Sequence, residues 1–172
     1  MVIKKRPKDL AMINTESFKK ACSRWCTGVA VITCTGPDGE RFGLTMSAVT
    51  PLSLEPPLFL ICLDNNSETL RAIELSAYFC INVLSDKQES TSNHFASKGR
   101  NKFNSIKWFE SKNGSPVLEG ALVNIECQKK SIFSGGDHQV VIGQLSFLYF
   151  NDSENHNPLA YYKSAYHNVN KT

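Results

Sequence analysis

The sequence predicts a mainly β protein: an antiparallel barrel with short helices at its periphery. Three observations carry this. At least six runs of aliphatic, β-branched and aromatic residues have the length of strands. Several are joined by turn-forming stretches, among them Gly36-Pro37-Asp38-Gly39 and Ser134-Gly135-Gly136-Asp137-His138. The helical patterns between the others are too short for regular βαβ winding, which disfavours a parallel sheet.

The chain has 172 residues, 41% apolar and 20% charged, in the range of one globular domain with a real core. Residues 1–13 lack periodicity and are expected to form a flexible N-terminal arm, with Lys4, Lys5, Arg6 and Lys8 as a solvated end. Residues 14–172 are expected to form a single domain. The net charge of +3 is too small to argue for a nucleic-acid partner. No apolar segment is long enough to span a membrane, and no apolar stretch follows the basic N-terminus as in a secretory signal. The six cysteines form no C-x-x-C pair. Cys22 and Cys26 share a helix face, but no His or second pair stands at metal-site spacing nearby. Reduced thiols in a cytoplasmic protein, with no metal site, are expected.

In chain order, Asn14 or Thr15 can cap a helix with Glu16 in its first turn. Phe18, Ala21, Cys22, Trp25 and Cys26 recur at helical spacing, so this helix should run on and stop before Gly28. Residues 29–35 are a β-branched strand, and 41–46 its hairpin partner. The stretch 43–67 then turns through small and hydroxyl residues (Thr45, Ser47, Thr50, Ser53) and passes Pro56-Pro57. It enters the apolar run 58–63, a buried strand. Asn65 and Glu68 are spaced like a capping box before a short helix carrying Leu70, Ile73, Glu74 and Leu75. Residues 78–84 form another apolar strand. Asp86 and Glu89 again have capping-box spacing, opening a helix to about Ala96. Residues 97–116 read as a polar loop anchored by Phe103, Ile106, Trp108 and Phe109. Two long strands, 121–133 and 139–151, flank the glycine-containing turn. A polar segment and an aromatic tail, 158–166, end the chain.

Nucleophile elbows, zinc-protease helices, phosphate loops and dinucleotide fingerprints are all absent. The four histidines, His94, His138, His156 and His167, are scattered. A hydrolase or metalloenzyme therefore has little support. What remains is backbone and hydroxyl donors around buried strands, which suits a planar cofactor. Thr45, Met46, Ser47 and Ala48 leave a strand with small residues, where main-chain N–H groups can approach a heteroaromatic ring. The plainer reading is a polar strand end. Asp64, Asn65, Asn66 and Ser67 precede a helix whose free N–H groups form a natural phosphate site; the plainer reading is a helix cap. Lys98 and Arg100 offer two cations after a helix, or simply a solvated pair. His138 stands behind two glycines at a hairpin tip, either as an ordinary turn residue or as an imidazole presented to a second ligand.

Taken together, these segments resemble the flavin reductase-like family with the FMN-binding split barrel. That family includes the NAD(P)H:flavin reductase components of two-component monooxygenases. The resemblance runs from about Phe18 to Tyr166. It rests on Thr27-Gly28-Val29-Ala30-Val31-Ile32-Thr33, Gly43-Leu44-Thr45-Met46-Ser47-Ala48 and Ser53-Leu54-Glu55-Pro56-Pro57-Leu58. Further matches are Phe79-Cys80-Ile81-Asn82-Val83-Leu84, Phe95-Ala96, Gly136-Asp137-His138 and the late strand with Gly143.

The resemblance implies an antiparallel Greek-key split β-barrel and a homodimer whose flavin groove is partly shared. It implies FMN or FAD as cofactor and NADH or NADPH as co-substrate. Thr45, Met46, Ser47 and Ala48 would lie along the isoalloxazine. Cys62, Leu63, Asp64, Asn65, Asn66, Ser67 and Thr69 would hold the ribityl chain and phosphate. Phe95, Ala96, Ser97, Lys98 and Arg100 would add to the phosphate or adenylate end. Gly136, Asp137 and His138 would lie on the nicotinamide side, with His138 positioning the ring, and Tyr161, Tyr162 or Tyr166 closing that side. The implied reaction is hydride transfer from nicotinamide to flavin, chemistry that belongs to the cofactors. It needs no triad, and a partner flavin-dependent monooxygenase would receive the reduced flavin. A tightly FMN-bound oxidoreductase and a non-catalytic flavin- or haem-binding protein are the alternatives.

Overall fold

The computed structural model describes residues 13–99, 101–151 and 156–169. All of the expected arm except Ile13 lies outside the described residues.

Helix α1 (Thr15–Cys22) starts at Asn14, whose Oδ1 accepts from the Ser17 N–H at 2.8 Å while Ser17 Oγ accepts from the Asn14 N–H at 3.0 Å. This reciprocal box satisfies two amides that would otherwise be orphaned. The helix stops a turn earlier than the Trp25–Cys26 spacing led us to expect. None of its residues is buried, and Trp25 is 77% exposed, so no packed face rewards another turn.

Strands β1 (Thr27–Gly28), β2 (Ala30–Thr35) and β3 (Arg41–Met46) follow. β2 and β3 form the expected hairpin, with Ala30 opposite Met46 and Thr35 opposite Arg41. β2 is buried on both faces, as its unbroken apolar run requires. Ala30, Ile32 and Cys34 enter one hydrophobic cluster, and Val29 and Val31 enter another.

The next strand was not anticipated. β4 (Val49–Leu54) pairs antiparallel with β5 (Pro57–Asp64), and Glu55-Pro56 forms the link as a cis peptide. β4 is an edge strand with most residues exposed, so it lacks the alternation that marks a half-buried strand, and an edge tolerates Pro51. The run 58–63 is less buried than its composition suggested. Only Ile61 and Leu63 are fully buried, because adjacent residues on a strand face opposite sides.

Helix α2 (Glu68–Leu75) is capped by Ser67, whose Oγ accepts from the Leu70 N–H at 3.3 Å; Asn65 is not its cap. β6 (Tyr78–Val83) matches expectation. The following box is formed by Ser85 and Gln88 rather than Asp86 and Glu89, and opens a 3₁₀ turn that runs into helix α3 (Glu89–Ala96). The expected loop 97–116 contains one short strand, β7 (Trp108–Glu110), which pairs with β8 (Pro116–Leu118). The long hairpin β9 (Val123–Gly135) and β10 (His138–Phe150) turns through Gly136 and Asp137 alone. The tail forms β11 (Leu159–Tyr162) and β12 (Ala165–Asn168), and β11 pairs with β1.

Seven strands form one antiparallel sheet in the order β3-β2-β6-β9-β10-β5-β4. Its two outermost strands are consecutive in the chain and joined only by Ser47 and Ala48. The sheet must therefore curl until its edges meet. Among the described residues no ladder pairs β3 with β4, so the barrel is split at that seam. This is the antiparallel split barrel the sequence predicted.

The barrel interior holds Ile32, Ile61, Leu63, Phe79, Ile81 and Val141. β10 crosses this core closely at Gly143: a Cβ there would stand 2.5 Å from Phe79 Cζ and 2.6 Å from Cys127 Cβ. A second cluster, with Val31, Leu84, Phe95, Phe103 and Leu118, fixes α3 to the barrel's outer face. Burial pushes the Cys34 and Cys127 thiols up to about 12, which leaves them as small apolar side chains at neutral pH. No helix among the described residues is long and apolar enough to cross a membrane.

Candidate functional site

A cleft of about 910 Å³ opens along the seam. One wall is β3 and its exit, residues 40–48. The end of β5 and the start of α2 supply Cys62, Leu63, Asp64, Asn66, Ser67 and Thr69. The end of α3 and its following loop supply Phe95, Ala96, Ser97 and Lys98, and His138 stands at the rim. Fifteen of the sequence-predicted positions thus meet in one cavity, although they come from four separated segments.

The local structure explains the convergence. β3 pairs with β2 alone, so its other edge keeps main-chain groups outside any ladder, with the Gly43 carbonyl taken up by Lys102. α3 packs against that strand: Thr45 Oγ1 donates to the Ser92 carbonyl at 2.6 Å. Gly43 lets Phe95 approach, since a Cβ there would meet its ring at 2.7 Å and an alanine cannot be seated without displacement. At the opposite wall, Asp64 Oδ1 accepts from the Asn66 N–H at 2.7 Å. That turn leads into Ser67, so the first amides of α2, at Glu68 and Thr69, emerge beside the cavity without intrahelical acceptors.

Four predicted residues lie elsewhere. Asn65, Gly136 and Asp137 do not line the cavity; they belong to the hairpin at its rim. The Asn65 N–H donates to the Asp137 carbonyl at 3.0 Å. Tyr166 does not line the cavity either; its hydroxyl lies 2.8 Å from Ser92 Oγ and 3.3 Å from Asn93 Oδ1, with its ring edge-on to Tyr161. Arg100 lies outside the described residues.

Sequence reasoning missed Arg41 and Lys102. Lys102 Nζ donates to the carbonyls of Phe95 at 2.9 Å and Gly43 at 3.2 Å, tying the loop after α3 to β3 inside the cleft. His94 Nε2 completes the clasp, 2.8 Å from the Lys102 carbonyl. Partial burial holds the Lys102 ammonium below its ordinary value, and the nearby Glu68 carboxylate opposes that shift. Arg41 is held by its guanidinium over the Trp108 ring, 4.3 Å from the centroid. The signal for Lys102 was its place beside the Phe103 anchor, in a stretch that reads as an ordinary polar loop.

At the rim, His138 Nδ1 lies 2.7 Å from Asp137 Oδ1. The hydrogen bond and charge of His138 hold the Asp137 carboxyl below its ordinary value, although the group is fully exposed. The cleft as a whole offers free strand-edge amides and carbonyls, hydroxyls, helix N-terminal amides and ammonium groups. It can grip an elongated ligand with a flat polar body and an anionic end.

Comparison with known proteins shows the family. Residues 22–170 match the family described as flavin reductase like domain. The chain is 41% identical over 154 residues to the reductase subunit HsaB of a flavin-dependent monooxygenase from Rhodococcus jostii (strain RHA1), covering 90% of this chain and 77% of that protein. It is 38% identical over 141 residues to a flavin reductase (NADH) from Kitasatospora aureofaciens, covering 80% and 74% of the two chains. Among solved structures, nitrilotriacetate monooxygenase component B from Mycobacterium thermoresistibile superposes with a TM-score of 0.86 at 35% identity, over 90% of this chain and 86% of that one. The chain belongs to the flavin reductase like domain family.

Proposed function

We propose that this protein transfers a hydride from NADH or NADPH to FMN or FAD held in the seam cleft. The reduced flavin then passes to a partner flavin-dependent monooxygenase, and the enzyme works as a cytoplasmic homodimer. The observation that carries this reading is the meeting of β3's free edge, the α2 N-terminus, two lysines and His138 in one cavity.

The donor set fits a flavin. Along residues 45–48 the Ser47 and Ala48 carbonyls already accept from the Val49 and Cys62 N–H groups, and the main-chain N–H groups are the donors suited to a heteroaromatic rim. The amides of Glu68 and Thr69 suit a phosphate, and helix ends favour negative charge. Lys98 and Lys102 add positive charge on the facing wall. When bound, the flavin supplies the two-electron chemistry, accepting hydride from the nicotinamide. The chain's own residues bind, orient and exclude water. Ser92 fixes Thr45, the Lys102 clasp holds the loop over the cleft, and His138 offers an imidazole at the rim on the nicotinamide side. With Nδ1 directed to Asp137, the ring presents Nε2 outward as a positioning group.

A partner monooxygenase is supported by what the HsaB relative is named to be, a reductase subunit. NADH is supported by the name of the Kitasatospora relative. The homodimer reading is supported by an apolar groove of about 840 Å³ that shares Ser47 and Ala48 with the cleft and is lined by Trp25, Val49, Pro51 and Phe59. Sedimentation of the purified protein tests it: a monomer at micromolar concentration contradicts it.

Steady-state kinetics with added free flavin test the reductase role. Saturable dependence on flavin is expected. Full activity without it indicates a prosthetic flavin and contradicts delivery of a diffusing product.

A further inference from the structure

Asn65 stands between two cleft-lining residues, Asp64 and Asn66, yet does not line the cleft itself. Its hydrogen-bonding groups are committed to the β9–β10 hairpin. The main-chain N–H donates to the Asp137 carbonyl at 3.0 Å. Nδ2 donates to the Gly136 carbonyl at 3.4 Å, and Oδ1 accepts from Gln139 Nε2 at 3.0 Å. A backbone carbonyl only accepts, so the amide's orientation is fixed by its partners. Gln139 is in turn oriented by Ser134, whose Oγ lies 3.5 Å from its Oε1.

The β5–β10 ladder ends at the pair Asp64–His138. Beyond it the turn consists of Gly136, with φ of 72°, and Asp137. A glycine-centred two-residue turn with an exposed side chain has few internal constraints. Asn65 supplies them from the turn that follows β5, and the residue it steadies is His138, the first after the β9–β10 turn.

We propose that Asn65 is a positioning residue for His138: it braces the Gly136-Asp137 turn and does not ligate flavin. This rests on the reading of His138 as the nicotinamide-side group. It also links the two ends of the site, because the loop that leads into α2 and the turn that carries the imidazole become one unit.

The test compares Asn65→Ala, Gln139→Ala and the double variant with the parent protein. The first readout is the His138 imidazole resonance in the flavin-free protein, which reports the brace alone. The others are flavin Kd by fluorescence quenching and the split between KM for NADH and kcat. The Asn65 side chain is exposed, so the fold is expected to survive; circular dichroism checks this.

In Asn65→Ala, the His138 resonance should shift and sharpen toward that of a mobile ring. KM for NADH should rise about threefold, part of the rise expected when the imidazole itself is removed, with kcat and flavin Kd within about twofold of the parent. The double variant should be no worse than Asn65→Ala, because both side chains act through one contact. An unmoved His138 resonance overturns the proposal, as does a weakened flavin Kd with KM unchanged. Failure of the nicotinamide reading looks different: the resonance moves in Asn65→Ala, while His138→Ala leaves KM for NADH as it was.

Discussion

His138 Nδ1 and Asp137 Oδ1 lie 2.7 Å apart at the rim of the cleft, adjacent residues closing a contact that the β9–β10 turn holds in place. The contact keeps the Asp137 carboxyl below its ordinary value of 3.8, first through the hydrogen bond and then through charge. A depressed carboxyl contributes its stabilisation above the unfolded value and loses it as pH falls through the folded one. The pair should therefore persist through the ordinary carboxylate range and open only below it. Carbon-detected NMR of Asp137 should show an inflection below 3.8 in the parent protein, returning toward 3.8 in His138→Ala. The same inflection in both proteins contradicts the contact.

His138→Ala should also separate the two ligands. It removes the rim imidazole proposed for the co-substrate side and leaves the cleft walls intact. KM for NADH or NADPH should rise about tenfold, the scale of one well-placed interaction, with flavin Kd nearly unchanged. An unchanged KM contradicts the role assigned to His138.

Gly43→Ala tests the cleft wall. The added Cβ would stand 2.7 and 2.9 Å from atoms of the Phe95 ring, and Phe95 is only 1% exposed, packed edge-on against Phe103. Overpacking of this kind costs about 1–3 kcal/mol. Displacement of Phe95 moves the end of α3 away from β3, so flavin affinity should fall together with the thermal midpoint. A variant with parental midpoint and flavin Kd contradicts the assigned packing.

Much of this architecture was legible in the sequence because its signals are local. The β2–β3 hairpin is announced by its β-branched run and Gly-Pro-Asp-Gly turn, and the β9–β10 hairpin by length and glycine. β4 was not legible, since an exposed edge strand with Pro51 and Ser53 has neither alternation nor continuous apolarity. The caps shifted because Asn65 and Ser67 are both good capping residues, and only the tertiary pull of the hairpin on Asn65 decides between them. Lys102 was missed for a related reason: its two acceptors are carbonyls, and carbonyls leave no trace in side-chain patterns. The cleft residues were legible only as a set, each segment alone reading equally well as an ordinary cap or strand end.

Tyr166→Phe addresses the aromatic tail. The Tyr166 hydroxyl meets Ser92, and the Ser92 carbonyl accepts from Thr45 in the cleft. Loss of the hydroxyl should lower stability by about 1 kcal/mol, the net worth of one such bond. KM for the nicotinamide co-substrate should stay unchanged, because the hydroxyl is committed to Ser92 and Asn93 of α3. A raised KM with unaltered stability would instead place this tyrosine at the nicotinamide.

The most direct measurement is an anaerobic titration of the purified protein, mixed with FMN or FAD, with NADH and then with NADPH, following the flavin's visible absorbance. Bleaching is expected with at least one nucleotide, complete at about one equivalent per flavin because a hydride carries both electrons. Flavin that stays oxidised with both nucleotides would contradict the proposed reductase role and leave the cleft as a binding site without the reaction.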